Sequence, residues 1–231
     1  MTVTAARSTA GPVTGPRTTG ASRLQSRLLR ALVGTPFTIV SNNCWGAHVY
    51  QALGLPYATP FVGLFIPPAG YLALLSDFSG LMRADLRFVT TSRSENVNAW
   101  REREGLSYPI GILGGLVEID FQHYPNEGAA LAAWRRRSAR MVADPARVFF
   151  KFDDREGATA ADVAAFDALD LPNKVCFTAG PHSTPTIVVP PAPGEAHVAD
   201  GVSLAALSRR YFNTLRWISP LPPWTPLPSL I

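Results

Sequence analysis

Phe37-Thr-Ile-Val-Ser-Asn-Asn-Cys-Trp-Gly46 decides how this chain reads. Phe37 to Ser41 is a short apolar run rich in β-branched residues, which suits a buried strand. Cys44 to Leu53 reads as a helix that stops at Gly54-Leu-Pro56. A strand, a polar turn and a helix in that order make half of a βαβ unit, and the alternation continues outward. Phe61 to Ile66 reads as a second strand, after which Pro67 and Pro68 open a helix through Tyr71, Leu74, Leu75 and Phe78. Residues 86–90, 108–113, 116–122, 148–152, 174–178 and 186–189 read as further strands. The longest expected helix runs from Glu127 to Val142, acidic in its first turn and basic in its later part, which complements the helix dipole. Thr159-Ala-Ala-Asp162 is a capping-box variant ahead of a helix to Leu169, and Ser203 to Leu215 reads as the last helix. Strands alternating with helices predict an α/β fold of three layers, Rossmann-like, with a mainly parallel sheet and helices on both faces.

The ends do not share this pattern. Residues 1–21 are Thr, Ala, Gly, Pro and Ser with two arginines, a composition too polar to bury a core. Ser22 to Leu32 reads as a short amphipathic basic helix, suited to docking on its own domain or to peripheral contact with a membrane surface. The expected organisation is therefore a disordered basic tail with that helix over 1–34, one α/β domain over 35–218, and a Pro-rich tail over 219–231 laid along the body through Trp217 and Trp224. Five arginines precede residue 35 and no acid precedes Asp77, so the net charge of +4 belongs to the leader. The body carries no basic stripe interleaved with aromatics, which argues against nucleic acid as a partner. Two cysteines without a C-x-x-C pair, no apolar signal-peptide core and no run of 18 apolar residues point to a reducing, cytoplasmic setting.

In open parallel sheets, ligands sit outside the carboxyl ends of the strands, so those ends select the candidates. After the first strand come Ser41, Asn42, Asn43, Cys44, Trp45 and Gly46, a turn into a helix N-terminus that offers backbone N–H groups and a positive dipole end. A thiol there is expected to have a lowered pKa. Asn42 and Asn43 are placed to cap the helix or to donate to an oxyanion, and Gly46 permits close approach. His48 lies one turn after Cys44. His123 and Tyr124 follow the 116–122 strand, Asp153 and Asp154 follow the 148–152 strand, and His182 lies four residues past Thr178. Cys44, or Ser41 as the rival nucleophile, with His123 as base and Asp153 or Asp154 orienting it, has the chemistry of nucleophilic catalysis. Trp45 serves as a stacking or a core group. No H-E-x-x-H, paired Cys/His spacing, P-loop or G-x-G-x-x-G is present, so no metal or nucleotide is expected. Arg135, Arg136, Arg137 and Arg140 read as a solvated helix face, with an anionic partner as the alternative.

Several segments together resemble a bacterial family of unknown function whose members are often labelled exopolysaccharide biosynthesis proteins. They are Phe37 to Gly46, Gly54-Leu-Pro-Tyr57, Thr59 to Phe65, Tyr108-Pro-Ile-Gly111, Phe121-Gln-His-Tyr124, Ala133-Trp-Arg-Arg136, Phe150-Lys-Phe-Asp153 and Asn173 to Thr178. The resemblance covers roughly residues 36–180. It implies a role in making or decorating surface polysaccharide. The expectation is a transferase that moves an acyl group, from an acyl-thioester donor, onto a carbohydrate or polysaccharide precursor. An esterase of the same geometry and a non-catalytic glycan-binding or assembly protein are the alternatives.

Overall fold

The structure is a computed structural model that describes residues 31–227. The leader, with most of the helix expected from Ser22, and the last four residues lie outside the described residues; residues 31–33 are helical. The elements run β1 (Thr38–Ser41), α1 (Trp45–Leu53), α2 (Pro68–Ser76), α3 (Phe78–Leu81), β2 (Leu86–Val89), α4 (Glu95–Arg103), β3 (Ile110–Leu113), β4 (Val117–Asp120), α5 (Glu127–Ser138), β5 (Val148–Asp153), α6 (Ala160–Ala168), β6 (Lys174–Thr178), β7 (Ile187–Val188), α7 (Gly201–Leu207) and α8 (Thr214–Ile218).

The main sheet has the order β1-β5-β6-β7, and each neighbouring pair is parallel. Alternation along the strands sends side chains to opposite faces. Val40, Phe150, Phe152 and Cys176 point to one face and pack with Leu74, Trp134 and Phe166 of α2, α5 and α6. Ile39, Phe149, Val175 and Phe177 point to the other and pack with Val49, Leu204 and Leu215 of α1, α7 and α8. Both faces are therefore covered by helices, as the near-continuous apolar runs require. This is the α/β arrangement with a mainly parallel sheet that the sequence predicts.

The chain between α3 and α5 departs from that pattern. β2, β3 and β4 form a separate antiparallel sheet inserted between β1 and β5. Gly114 and Gly115, both at positive φ, let β3 turn straight back into β4. Phe61–Ile66, expected as a strand, is instead an extended joint between the two sheets. Gly63 breaks its regularity at φ 69°, Phe65 exchanges both backbone bonds with Asp120, and the Ile66 N–H reaches the Asn42 carbonyl at 2.9 Å. α4 has no apolar face and buries none of its residues, so no hydrophobic period announces it; Ser94 caps it. The expected last helix is two helices, because the chain turns at Tyr211 and the Asn213 side chain restarts α8 by accepting from the Arg216 N–H at 3.0 Å. The C-terminal segment is held by the Arg216 guanidinium on the carbonyls of Leu221 and Pro222, while Trp224 is 81% exposed.

β1 lies at the edge of the main sheet. Side-chain hydroxyls serve its outward groups: Ile39 donates its N–H to Tyr50 Oη at 3.2 Å and accepts from Thr59 Oγ1 at 2.6 Å.

Candidate functional site

The carboxyl ends of β1 and β5 lie side by side, with Ser41 opposite Lys151 in the register. Beneath them is a sealed polar knot. Lys151 and Asp153 are fully buried and form an ion pair. The lysine also donates to Asn42 Oδ1 at 3.2 Å and Asn43 Oδ1 at 3.0 Å, which uses all three of its donors. Asn42 and Asn43 return amide bonds to the two oxygens of Asp153, at 3.2 and 2.8 Å. Burial alone would raise the Asp153 carboxyl, but the Lys151 charge and the bonds from Lys151, Asn43 and Asn42 outweigh it and hold the group below its ordinary value.

The knot and its surroundings bear on the expected roles of these residues. Asn42 and Asn43 are committed to Asp153, and are too buried to donate to an oxyanion. Asp153 is neutralised by Lys151 and does not orient His123. Asp154 accepts from the Ala179 N–H at 2.6 Å and the Val198 N–H at 3.0 Å, so it ties two loops together and orients no histidine. Ser41 is fully buried with an unpartnered hydroxyl, which removes it as a reachable nucleophile. Trp45 is core: it packs against Phe177 and Trp217, and its Nε1 donates to Ser208 Oγ at 3.2 Å. What approaches Gly46 is the sheet itself. A Cβ there would stand 2.9 Å from Ile39 Cγ2 and 3.2 Å from Ser41 Cβ, so the glycine lets α1 settle on β1.

The knot fixes the turn that presents Cys44, the half-buried residue preceding α1. The Gly63 N–H donates to its sulfur, and the charges of Glu156, Lys151 and Asp200 are felt there. Burial first, and Glu156 next, push the thiol up to about 11. That is opposite to the direction a helix N-terminus alone would give, because three effects opposing ionisation outweigh the backbone bond and Lys151. His48 and His123 are half-buried in the same recess, close enough for the His123 charge to act on His48. Burial pushes both imidazoles below their ordinary value, which favours their neutral form. Gly63 fits between the two sides of the recess for a steric reason: a Cβ there would come within 3.1 Å of the His123 Cβ. Tyr124 lies beyond it and donates to the Val62 carbonyl at 2.7 Å. His182 stands half-buried in the loop after β6, and no contact brings it to this recess.

Sequence reasoning missed Glu156, Lys151, Gly63 and Asp200. Glu156 is the one non-glycine residue at positive φ among the described residues, a strained backbone of the kind that gathers at working sites. It keeps 37% of its side chain exposed. Desolvation and the Asp153 charge push its carboxyl up to about 7. The signal for Lys151 was available, since a lysine inside Val148-Phe-Phe-Lys-Phe-Asp153 must find a buried partner. Among the described residues, no three His, Cys, Asp or Glu side chains converge as a metal would need.

A family model described as a domain of unknown function, DUF1919, matches residues 17–219, which include every residue of the knot and the recess. The chain belongs to that family. A DUF1919 reading is accompanied by a relative from Haemophilus influenzae (strain ATCC 51907 / DSM 11121 / KW20 / Rd), described as an uncharacterized protein. It is 36% identical over 155 residues, covering 67% of this chain and 68% of its own. No helix among the described residues of this DUF1919 chain is long and apolar enough to cross a membrane.

Proposed function

We propose that this chain is a cytoplasmic transferase of surface-polysaccharide biosynthesis, moving an acyl group from a thioester donor onto a sugar precursor through Cys44. The resemblance of the Phe37–Gly46 motif and its companions to proteins labelled for exopolysaccharide biosynthesis motivates the substrate. One observation carries the chemistry: Cys44 is half-exposed beside Gly63, against which His123 packs, whereas Cys176 is sealed in the core at 5% exposure.

A thiol that rests protonated needs a base at the moment of attack. His123 takes the thiol proton as the Cys44 sulfur adds to the donor carbonyl. The donor's C–S bond breaks, its sulfur leaves with the proton from the imidazolium, and the acyl group rests on Cys44 as a thioester. A sugar hydroxyl then loses its proton to the imidazole and attacks; the Cys44–acyl bond breaks and the sulfur regains the proton. The N-terminal end of α1 faces the oxyanion that develops in each half. Water in place of the sugar makes the same site an esterase. The glycan-binding reading is weaker, because Trp45, its stacking candidate, is buried in the core.

The test is intact-mass analysis of the whole protein after incubation with short acyl thioesters. An acyl adduct on Cys44 is expected, released on adding a sugar acceptor. It is absent in C44A and forms on the order of 100-fold more slowly in H123A. A folded wild type that forms no adduct, or an adduct that persists in C44A, overturns the reading. Release at an equal rate without any sugar assigns the site to hydrolysis.

A further inference from the structure

Arg137, on α5, is half-buried. Among the other half-buried arginines, Arg155 has Glu156 beside it at 3.9 Å, and Arg101 spends both terminal nitrogens on the Thr90 and Tyr108 carbonyls. Arg147 uses Nε, Nη1 and Nη2 on the carbonyls of Pro36, Ile218 and Thr35. Arg216 uses both terminal nitrogens on Leu221, Pro222 and Thr225. Arg137 uses one: its Nη1 donates to the Val62 carbonyl at 3.5 Å and to Tyr124 Oη. Its guanidinium carbon lies 4.9 Å from the centre of the Tyr57 ring and 5.9 Å from that of Tyr124. Two aromatic rings thus hold the guanidinium in place. Among the described residues no carboxylate pairs with it. A cation fixed in position, half out of water and left without a counter-charge, is arranged for an anion that arrives with a ligand.

The position relative to Cys44 is fixed by a single peptide unit. The Val62 carbonyl that accepts from Tyr124 and Arg137 belongs to the same planar group as the Gly63 N–H that donates to the Cys44 sulfur. Two hydrogen bonds across one trans peptide put Nη1 within about 10 Å of the sulfur, a reach that one sugar ring with its substituent can span. Arg136, the next residue, adds a second positive charge that acts on Tyr124.

We propose that Nε and Nη2 of Arg137 form an oxyanion subsite for the sugar acceptor, binding a carboxylate or phosphate carried by the same ring whose hydroxyl is presented at Cys44. This rests on the acyl-transfer reading and names its acceptor class: an acidic sugar, a uronic acid or a sugar phosphate, in place of a neutral one. The free edge of a guanidinium fork accepts either group side-on through two parallel bonds.

Isothermal titration calorimetry on the full chain tests this with glucuronate, glucose 6-phosphate and glucose as probes. At least one anionic sugar is expected to bind ten-fold or more tightly than glucose, and whichever does so identifies the anion. R137Q reduces that binding to the glucose level. R137K, which keeps charge and stem but loses the fork, falls between, and it carries the test if R137Q fails to fold. Equal binding of charged and neutral sugars, or an anion preference unchanged in either variant, overturns the subsite. C44A separates the two proposals, since it abolishes acyl transfer and leaves the anion preference intact.

Discussion

The polar knot beneath β1 and β5 and the polar cluster on the outer face of the antiparallel sheet are both buried, yet they are built in opposite ways. In the first, one lysine, one aspartate and two asparagines exchange hydrogen bonds until every lysine donor and both carboxylate oxygens are used. In the second, Glu118 is served by Ser92 Oγ and by the Arg93 N–H at 2.8 Å, but its neighbour Asp120 is left short. Asp120 is 2% exposed with an unpartnered Oδ1, and Tyr108 beside it has an unpartnered hydroxyl. Arg101 stacks 4.6 Å over the Tyr108 ring and does not supply the missing bond. Burial, then the Glu118 charge, push the Asp120 carboxyl up to about 7. A charge-balanced network holds its aspartate below the ordinary carboxyl range, whereas an unbalanced one pushes its aspartate above it.

The largest way to break the contrast is K151M, which leaves the Asp153 charge buried without its counter-ion. Denaturant unfolding is expected to show a loss of about 3–5 kcal/mol. The double variant K151M/D153L is expected to recover part of this, the remainder being the stranded amides of Asn42 and Asn43. A K151M protein as stable as wild type would mean that the pair contributes nothing to the fold.

The next effect is in pH dependence, and its sign differs between the two clusters. Asp153 titrates below its unfolded value, so its contribution is present above about pH 4 and is lost as pH falls through the folded pKa. Asp120 titrates above its unfolded value, so its contribution is present below about pH 4 and is lost as pH rises to about 7. D120N should therefore flatten the stability profile between pH 4 and 8, removing a decline on the order of 4 kcal/mol, with the gain over wild type seen at the alkaline end. Unfolding midpoints for the two proteins across that range decide it; parallel curves would place the protonated carboxyl elsewhere.

Smaller still is Y108F, which deletes a buried hydroxyl that has no partner. Its stability should lie within about 1 kcal/mol of wild type, on either side. A loss of 2 kcal/mol or more, by the same unfolding measurement, would mean that this hydroxyl is bonded and the cluster is satisfied after all. S41A should move stability least, within about 0.5 kcal/mol, and should leave Cys44 acylation intact.

How much of this was legible depended on whether a residue's role was local. β1, α1, β5 and β6 follow from apolar runs and turn residues; the strand-end rule selected Cys44 and His123 as candidates, and helical spacing from Cys44 added His48. The antiparallel insertion was signalled by Gly114-Gly115 between two apolar runs, a hairpin cue that the βα alternation overrode. The roles of Asn42, Asn43 and Asp153 were not legible, because they depend on Lys151, more than a hundred residues from the two asparagines and brought beside them by sheet pairing. Trp45 read as a stacking or a core group, and what decides for the core, its partners Ser208 and Trp217, comes from the far end of the chain. Glu156 gave no periodic or compositional cue, since its significance lies in a backbone dihedral that no composition encodes.

The hydroxyls bonded to Ile39 have a consequence for assembly. A strand at the rim of a sheet normally exposes donors and acceptors in step with an incoming chain, and sheets grow by that route. Here Tyr50 and Thr59 occupy both outward groups of Ile39, and the Ile66 N–H takes the Asn42 carbonyl just beyond. The β1 rim is closed to strand addition from the middle of the strand outward. Association of copies of this chain, or of a partner with it, must therefore be made by side chains on other faces and not by extending the sheet at β1.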